Sequence, residues 1–267
     1  MAKFVWIASY PKSGNTWVRF LIGNLLLRKV ESSAQVMQQV PDIHDGISGA
    51  HLFGKRTTLI KTHWKFWTGL PLREDTIGAI YLIRNPIDVM ESNQNYALHR
   101  SGNLRREATP EEVANLAVRL AEDYIKHGGH PRFSQFGIGS WEEHVRSWTF
   151  AGIDFPRLVV KYEELKTDPA AGLARICRFL DLKRSDEQIR QAVESASEDN
   201  MRQLEEREIA GKTVGFFYQP RNSTGLAAGH RFVGRSVSGE SLFKLTDDQR
   251  RRAQQRFLPL MREFGYA

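Results

Sequence analysis

Short apolar runs alternate with segments of helical period along this chain. Phe4–Ala8, Thr58–Thr62, Ile77–Ile83 and Arg157–Tyr162 have the length and content of buried strands. Between and after them, apolar residues recur at helical spacing over Thr16–Arg28, Ile87–Asn95, Pro110–Ile125, Trp141–Phe150 and Pro169–Leu180. This alternation predicts an α/β fold, a parallel β-sheet flanked by helices on both faces. The polar, glycine-containing stretches Gln94–Arg106 and Lys126–Gly139 predict loops that cover a site. Glu205–Arg235 mixes glycine, charge and aromatics without a clear period, which predicts irregular structure. No repeat or linker divides the 267 residues, so a single domain over 1–267 is expected, with covering loop regions at about 94–139 and 205–235.

The first candidate site lies between the first strand and the first helix, at Tyr10-Pro11-Lys12-Ser13-Gly14-Asn15-Thr16-Trp17. Strand, tight loop and helix form a cradle for a phosphate. Gly14 allows close backbone approach, and the helix N-terminus presents N–H groups to an anion. Ser13, Asn15 and Thr16 add side-chain donors and Lys12 adds a charge. The loop is not a Walker motif, whose lysine follows the last glycine, whereas Lys12 precedes Gly14. Gly211-Lys212-Thr213 also fails that pattern, because Glu206 stands where the upstream glycine belongs and a charged helical run precedes it.

Two further strand ends carry chemistry. Tyr81-Leu82-Ile83-Arg84-Asn85-Pro86-Ile87-Asp88, followed by Ser92, reads as a strand end, a proline in the first helical turn and a helix. A guanidinium fork and a hydroxyl converging there suit a phosphate dianion; an Arg84–Asp88 ion pair is the alternative. Lys61-Thr62-His63 ends another strand and places an imidazole at the same sheet edge.

The Tyr-Pro-Lys-Ser-Gly-x-Thr-Trp order resembles the 5′-phosphosulfate loop of soluble sulfotransferases that use 3′-phosphoadenosine-5′-phosphosulfate (PAPS), and the Arg84–Ser92 stretch resembles their 3′-phosphate motif. The resemblance implies a phosphate-loop sulfotransferase fold that takes PAPS as donor, releases adenosine 3′,5′-bisphosphate (PAP) and needs no metal. It implies catalytic roles for His63 as base, Lys12 and Ser92. It implies nucleotide binding by Lys12, Ser13, Gly14, Asn15, Thr16, Trp17, Arg84, Ser92, Tyr162, Ser197 and Arg235. Trp17 and Tyr162 are expected at the adenine, where core aromatics are the alternative. Ser140-Trp141-Glu142-Glu143-His144-Val145 resembles another family segment, and Ser140 with Glu143 reads as a capping box, so His144 is taken as architecture. Toward the C-terminus the likeness thins. Gly234 and Arg235 stand where the family has Arg and Lys, only Ser197 and Met201 remain of another segment, and the dimer motif of vertebrate cytosolic members is not recognisable near Lys244 and Thr246. Trp64, Phe66 and Trp67 suggest an apolar acceptor surface for a phenol or alcohol. The overall look is similar to bacterial members that sulfate natural products such as glycopeptides.

Composition narrows the remaining choices. A single cysteine, Cys177, excludes an internal disulfide and reads as a buried apolar residue on a helix, which fits a reducing cytoplasm. No signal peptide or membrane span is expected. The charge of +7 fits an anionic cosubstrate. Arg250-Arg251-Arg252 reads as a solvated helix face rather than a nucleic-acid patch, and the eight histidines show no metal-ligand spacing. The rival readings are a nucleotide kinase or other phosphotransferase, and a non-catalytic nucleotide-binding protein. The partner expected on the first reading is a small hydroxylated molecule, not a nucleic acid or membrane.

Overall fold

The architecture is that of a computed structural model, which describes residues 3–45, 57–100, 109–150, 152–220, 226, 231–233 and 244–267. Four parallel strands, β1 (Lys3–Ser9), β2 (Thr57–Thr62), β3 (Thr76–Ile83) and β4 (Arg157–Lys161), form a sheet in the order β2-β1-β3-β4. Each predicted strand is present. β1 pairs with β2 through Ala8–Thr62 and with β3 through Ser9–Leu82, and β3 pairs with β4 through Ile83–Lys161, so all four carboxyl ends open on one edge.

Strand residues alternate between two cores, as the two-residue period of a strand requires. Trp6, Ala8, Tyr81 and Ile83 pack on one side, with residues of α3 (Pro86–Arg100), α4 (Pro110–His127), α5 (Trp141–Thr149) and the C-terminal helix. Val5, Ile7, Ile80 and Leu82 pack on the other, with α1 (Asn15–Leu27), α7 (Pro169–Phe179) and α8 (Asp186–Ser195). Cys177 is buried there on α7, as predicted.

Several boundaries differ from the sequence reading. α3 runs on to Arg100, so the predicted loop Gln94–Arg106 begins as helix, and residues 101–106 lie outside the described ones. Within Lys126–Gly139 a 3-10 turn spans Pro131–Phe136. The segment Glu205–Arg235 is helical at its start, since α9 covers Glu198–Gly211. Three helices were not anticipated: α2 (Ser33–Gln39), α6 (Tyr162–Thr167) and α8; capping boxes at Ser32/Gln35 and Ser185/Gln188 start α2 and α8. The last helix, α10 (Asp247–Glu263), carries Arg250, Arg251 and Arg252 in ion pairs with Glu91, Asp248 and Glu122; Arg251 is exposed as expected of that run, whereas Arg250 and Arg252 are half-buried and tie the helix to α3 and α4. Among the described residues, no helix is long and apolar enough to cross a membrane.

Candidate active site

Each strand end delivers one of the predicted residues to the open edge of the sheet. Lys12 follows β1, His63 follows β2, Arg84 follows β3 and Tyr162 follows β4. Residues far apart in sequence are thereby gathered where open parallel sheets bind ligands, because the flanking helices leave the carboxyl edge uncovered.

The loop after β1 makes its turn with two left-handed residues, Lys12 (φ 71°) and Gly14 (φ 93°). Left-handed backbone disfavours a residue with a Cβ, and such conformations persist where surrounding contacts hold them. The Arg84 Nη1 donates to the Lys12 carbonyl at 3.0 Å and supplies such a contact. Arg84 also lies 4.5 Å from the Tyr162 ring centroid, and Tyr162 meets Trp17 edge-on at 5.9 Å. The Tyr162 ring closes over Gly14: a Cβ there would fall 2.4 Å from the ring. Lys12, Gly14, Trp17, Arg84 and Tyr162 are therefore one cluster. Arg84 braces the loop rather than pairing with Asp88. Thr16 and Ser92 are half-buried, on α1 and α3.

The cluster fits an anion. Ser13 Oγ and Arg84 Nε are two of nine buried side-chain polar atoms that have no hydrogen-bond partner among the described residues, and both can donate to an anion seated in the loop. Other predicted donors are used structurally. The buried Asn15 amide nitrogen donates to Ile7 O and Ser9 Oγ, both at 3.1 Å, so its side-chain donor is spent within the protein while its Oδ1 stays unpaired. Ser197 Oγ accepts from Asn200 N as the cap of α9, and the Trp17 indole donates to the carbonyl of the preceding Ala196. Arg235 lies outside the described residues.

His63 is held at three points. Its Nδ1 lies 2.7 Å from Ser9 O; a carbonyl only accepts, so Nδ1 carries the proton and Nε2 keeps the lone pair. Its backbone N–H donates to His44 Nε2 at 3.2 Å. Its backbone carbonyl accepts from His144 Nε2 at 3.0 Å, while His144 Nδ1 accepts from the Tyr81 hydroxyl at 2.9 Å. Burial, then the Lys61 ammonium, push the imidazole pKa well below the usual 6.5. His63 is therefore neutral at physiological pH, with its lone pair at Nε2.

Several residues of the site had no sequence signal. Asp42 pairs with the buried Lys61 at 2.7 Å and accepts from the backbone N–H of His44. Glu205 and Glu208, in a segment expected to be irregular, lie on α9 and are both buried. Glu205 accepts from the backbone N–H groups of Phe232 and Val233, which seats Phe232 with its ring 5.5 Å from Lys12 Nζ. Phe66 is a correction of the opposite kind: it is a core residue against Trp148 and Phe155, whereas Trp64 borders His44 and Trp67 is exposed. The Ser140/Glu143 capping box forms as predicted. His144 combines an architectural place with a direct grip on the His63 peptide.

The buried His144 ring has a pH signature. Burial lowers the His144 pKa from 6.5 to about 3. A depressed folded-state pKa stabilises the fold fully above the unfolded value and less as the pH falls toward the folded one. Stability should therefore decline between about pH 6.5 and 3, by on the order of 5 kcal/mol at most from this group. Urea unfolding at pH 7 and pH 4.5 should show a smaller acid loss in His144→Gln than in the wild type. Equal losses would remove His144 as a source of acid sensitivity.

Comparison with known proteins agrees with this geometry. Residues 3–265 match the family described as Sulfotransferase domain. Sulfotransferase 1B1 of Mus musculus is 30% identical over 218 residues, covering 74% of this chain and 64% of the mouse protein, so this chain spans somewhat under two thirds of that relative. The amine sulfotransferase of Oryctolagus cuniculus is 22% identical over 269 residues, 97% of this chain and 81% of the rabbit protein. In fold the chain is similar to mouse sulfotransferase SULT7A1 complexed with PAP, with a TM-score of 0.62 at 23% identity, covering 97% of this chain and 84% of that one. The α/β architecture with its parallel sheet accompanies a family match along nearly the whole length, and the chain belongs to the sulfotransferase domain family.

Proposed function

We propose that the chain transfers a sulfuryl group from PAPS to a hydroxyl of a small-molecule acceptor. The observation that carries this reading is the delivery of Lys12, His63, Arg84 and Tyr162 by the ends of adjacent parallel strands to one edge. PAPS supplies an activated sulfuryl group on its 5′-phosphate. The Ser13–Thr16 backbone and Ser13 Oγ hold the 5′ end, Arg84 with Ser92 holds the 3′-phosphate, and Trp17 with Tyr162 flanks the adenine. His63 Nε2 removes the acceptor proton as the acceptor oxygen forms its bond to sulfur. Lys12 neutralises the charge that builds on the bridging oxygen as the old sulfur–oxygen bond breaks, and PAP leaves. Trp64 and Trp67 beside the base favour an acceptor with an apolar body, a phenol or an alcohol.

The test is transfer of labelled sulfate from PAPS to a panel of phenols and alcohols, with ATP–Mg²⁺ as a rival donor. Sulfated product from PAPS alone supports the proposal. Phosphorylated product would establish a phosphotransferase, and nucleotide binding without turnover of either donor would establish a binding protein.

Nucleotide recognition has its own test. Arg84→Ala removes a charged fork, typically about 1.5–3 kcal/mol. Calorimetry should show PAP binding weakened roughly tenfold to a hundredfold, with a smaller effect on adenosine 5′-monophosphate. Equal binding of PAP and the monophosphate by the wild type would remove the 3′-phosphate site.

A further inference from the structure

The segment before β2 sets a second histidine against His63. Pro41 and Asp42 run beside β2: Lys61 donates its backbone N–H to Pro41 O at 2.9 Å, and Asp42 bridges to Lys61. The next turn, Ile43–Asp45, carries His44. Two pairs of alternate residues, Asp42 with His44 and Lys61 with His63, thus lie side by side. Asp42 holds Lys61 through Oδ2 and the His44 backbone N–H through Oδ1. The His44 ring lies edge-on to Trp64 at 4.6 Å and near-parallel to the His63 ring at 6.3 Å. β2 ends at Thr62, so the His63 N–H lies beyond the strand and takes its acceptor from a side chain, His44 Nε2.

We infer that His44 is a positioning residue for His63: its neutral ring accepts the His63 N–H, and its protonation withdraws that acceptor and places a cation beside the base. The inference rests on the sulfotransferase reading only for the consequence on turnover. An imidazole nitrogen accepts only while unprotonated, so the hydrogen bond reports the charge state of His44. The charged groups that face His44 are Lys61, Asp42 and Asp45. Burial and the Lys61 ammonium lower its pKa, while Asp42 and Asp45 oppose them. His44 is therefore neutral near pH 7, and acid gains a second point of entry beside His63. His144 holds the carbonyl of the same residue, in the next peptide unit, so the two rings fix the backbone on both sides of the Cα from which the His63 ring projects.

Two substitutions separate acceptor from ring. His44→Phe keeps an aromatic face for Trp64 and lacks the acceptor; His44→Gln keeps a carbonyl acceptor and does not titrate. His44→Phe should lower kcat about tenfold with PAP affinity unchanged, the cost of about one hydrogen bond in the orientation of the base. His44→Gln should restore kcat to within about twofold. In NMR titrations of the protein without substrate, His44→Gln should raise the His63 midpoint by removing a like charge. Wild-type kcat in His44→Phe, or an unmoved His63 midpoint in His44→Gln, overturns the inference. A raised midpoint in a protein that shows no PAPS turnover supports the coupling and overturns the sulfotransferase reading instead.

Discussion

His63→Ala should lower kcat by about 10²–10⁴-fold, the usual span of general-base catalysis. The imidazole has one lone pair, at Nε2, because Nδ1–H is spent on Ser9 O. Nothing else among the described residues of the strand ends is poised in the same way: Lys61 is tied to Asp42, and His144 is fully buried. The fold should survive, since the variant loses one hydrogen bond at the sheet edge, a cost of about 1 kcal/mol. The wild-type kcat/KM should stay level through neutrality and fall only below pH 6.5, because burial and Lys61 hold the His63 pKa down. Acceptor acidity provides the decisive comparison. A phenol already largely ionised needs the base least, so the mutant should recover most of its rate on an acidic phenol and little on an aliphatic alcohol. An equal loss on both would assign His63 to acceptor positioning or to charge stabilisation rather than proton removal.

Lys12→Ala should reduce kcat by roughly 10²–10³-fold, the scale of losing a preorganised charge-stabilising group, and weaken PAP binding far less. The separation follows from when charge appears on the bridging oxygen, which is as the old bond breaks, so the strongest interaction exists only in the transition state. The position is prepared for such a role. Lys12 sits at a left-handed backbone angle, its carbonyl is gripped by Arg84, and its Nζ lies 4.8 Å from the Tyr96 ring and 5.5 Å from the Phe232 ring. Alanine keeps the same backbone demand, so the comparison isolates the ammonium. Single-turnover rates measured with PAP affinities give the ratio. A loss of PAP binding with kcat intact would reassign Lys12 to anchoring the product.

Local physics explains what was legible from the chain alone. The extended runs of the four strands, the turn that needs Gly14 and the Ser140/Glu143 cap each depend on neighbours within a few residues, so composition and period suffice to find them. The strand-end placement of Lys12, His63 and Arg84 was equally readable, because a parallel sheet sends every strand's carboxyl end to one edge. Tertiary structure alone decided how those residues are held and charged. His44 and His144 reach the backbone N–H and carbonyl of His63 from 19 and 81 residues away, and Glu208 reaches Ser33 across 175. The same distance hides the fate of single side chains. Phe66 turns into the core while Trp67 stays exposed, and Glu205 is buried because two backbone N–H groups replace its water. A side chain's charge, burial and partner are properties of the space around it. Sequence neighbours set the backbone path locally, but only the packed fold sets which distant group meets which, and that meeting leaves His63 buried, neutral and held at three points rather than one more histidine on the surface.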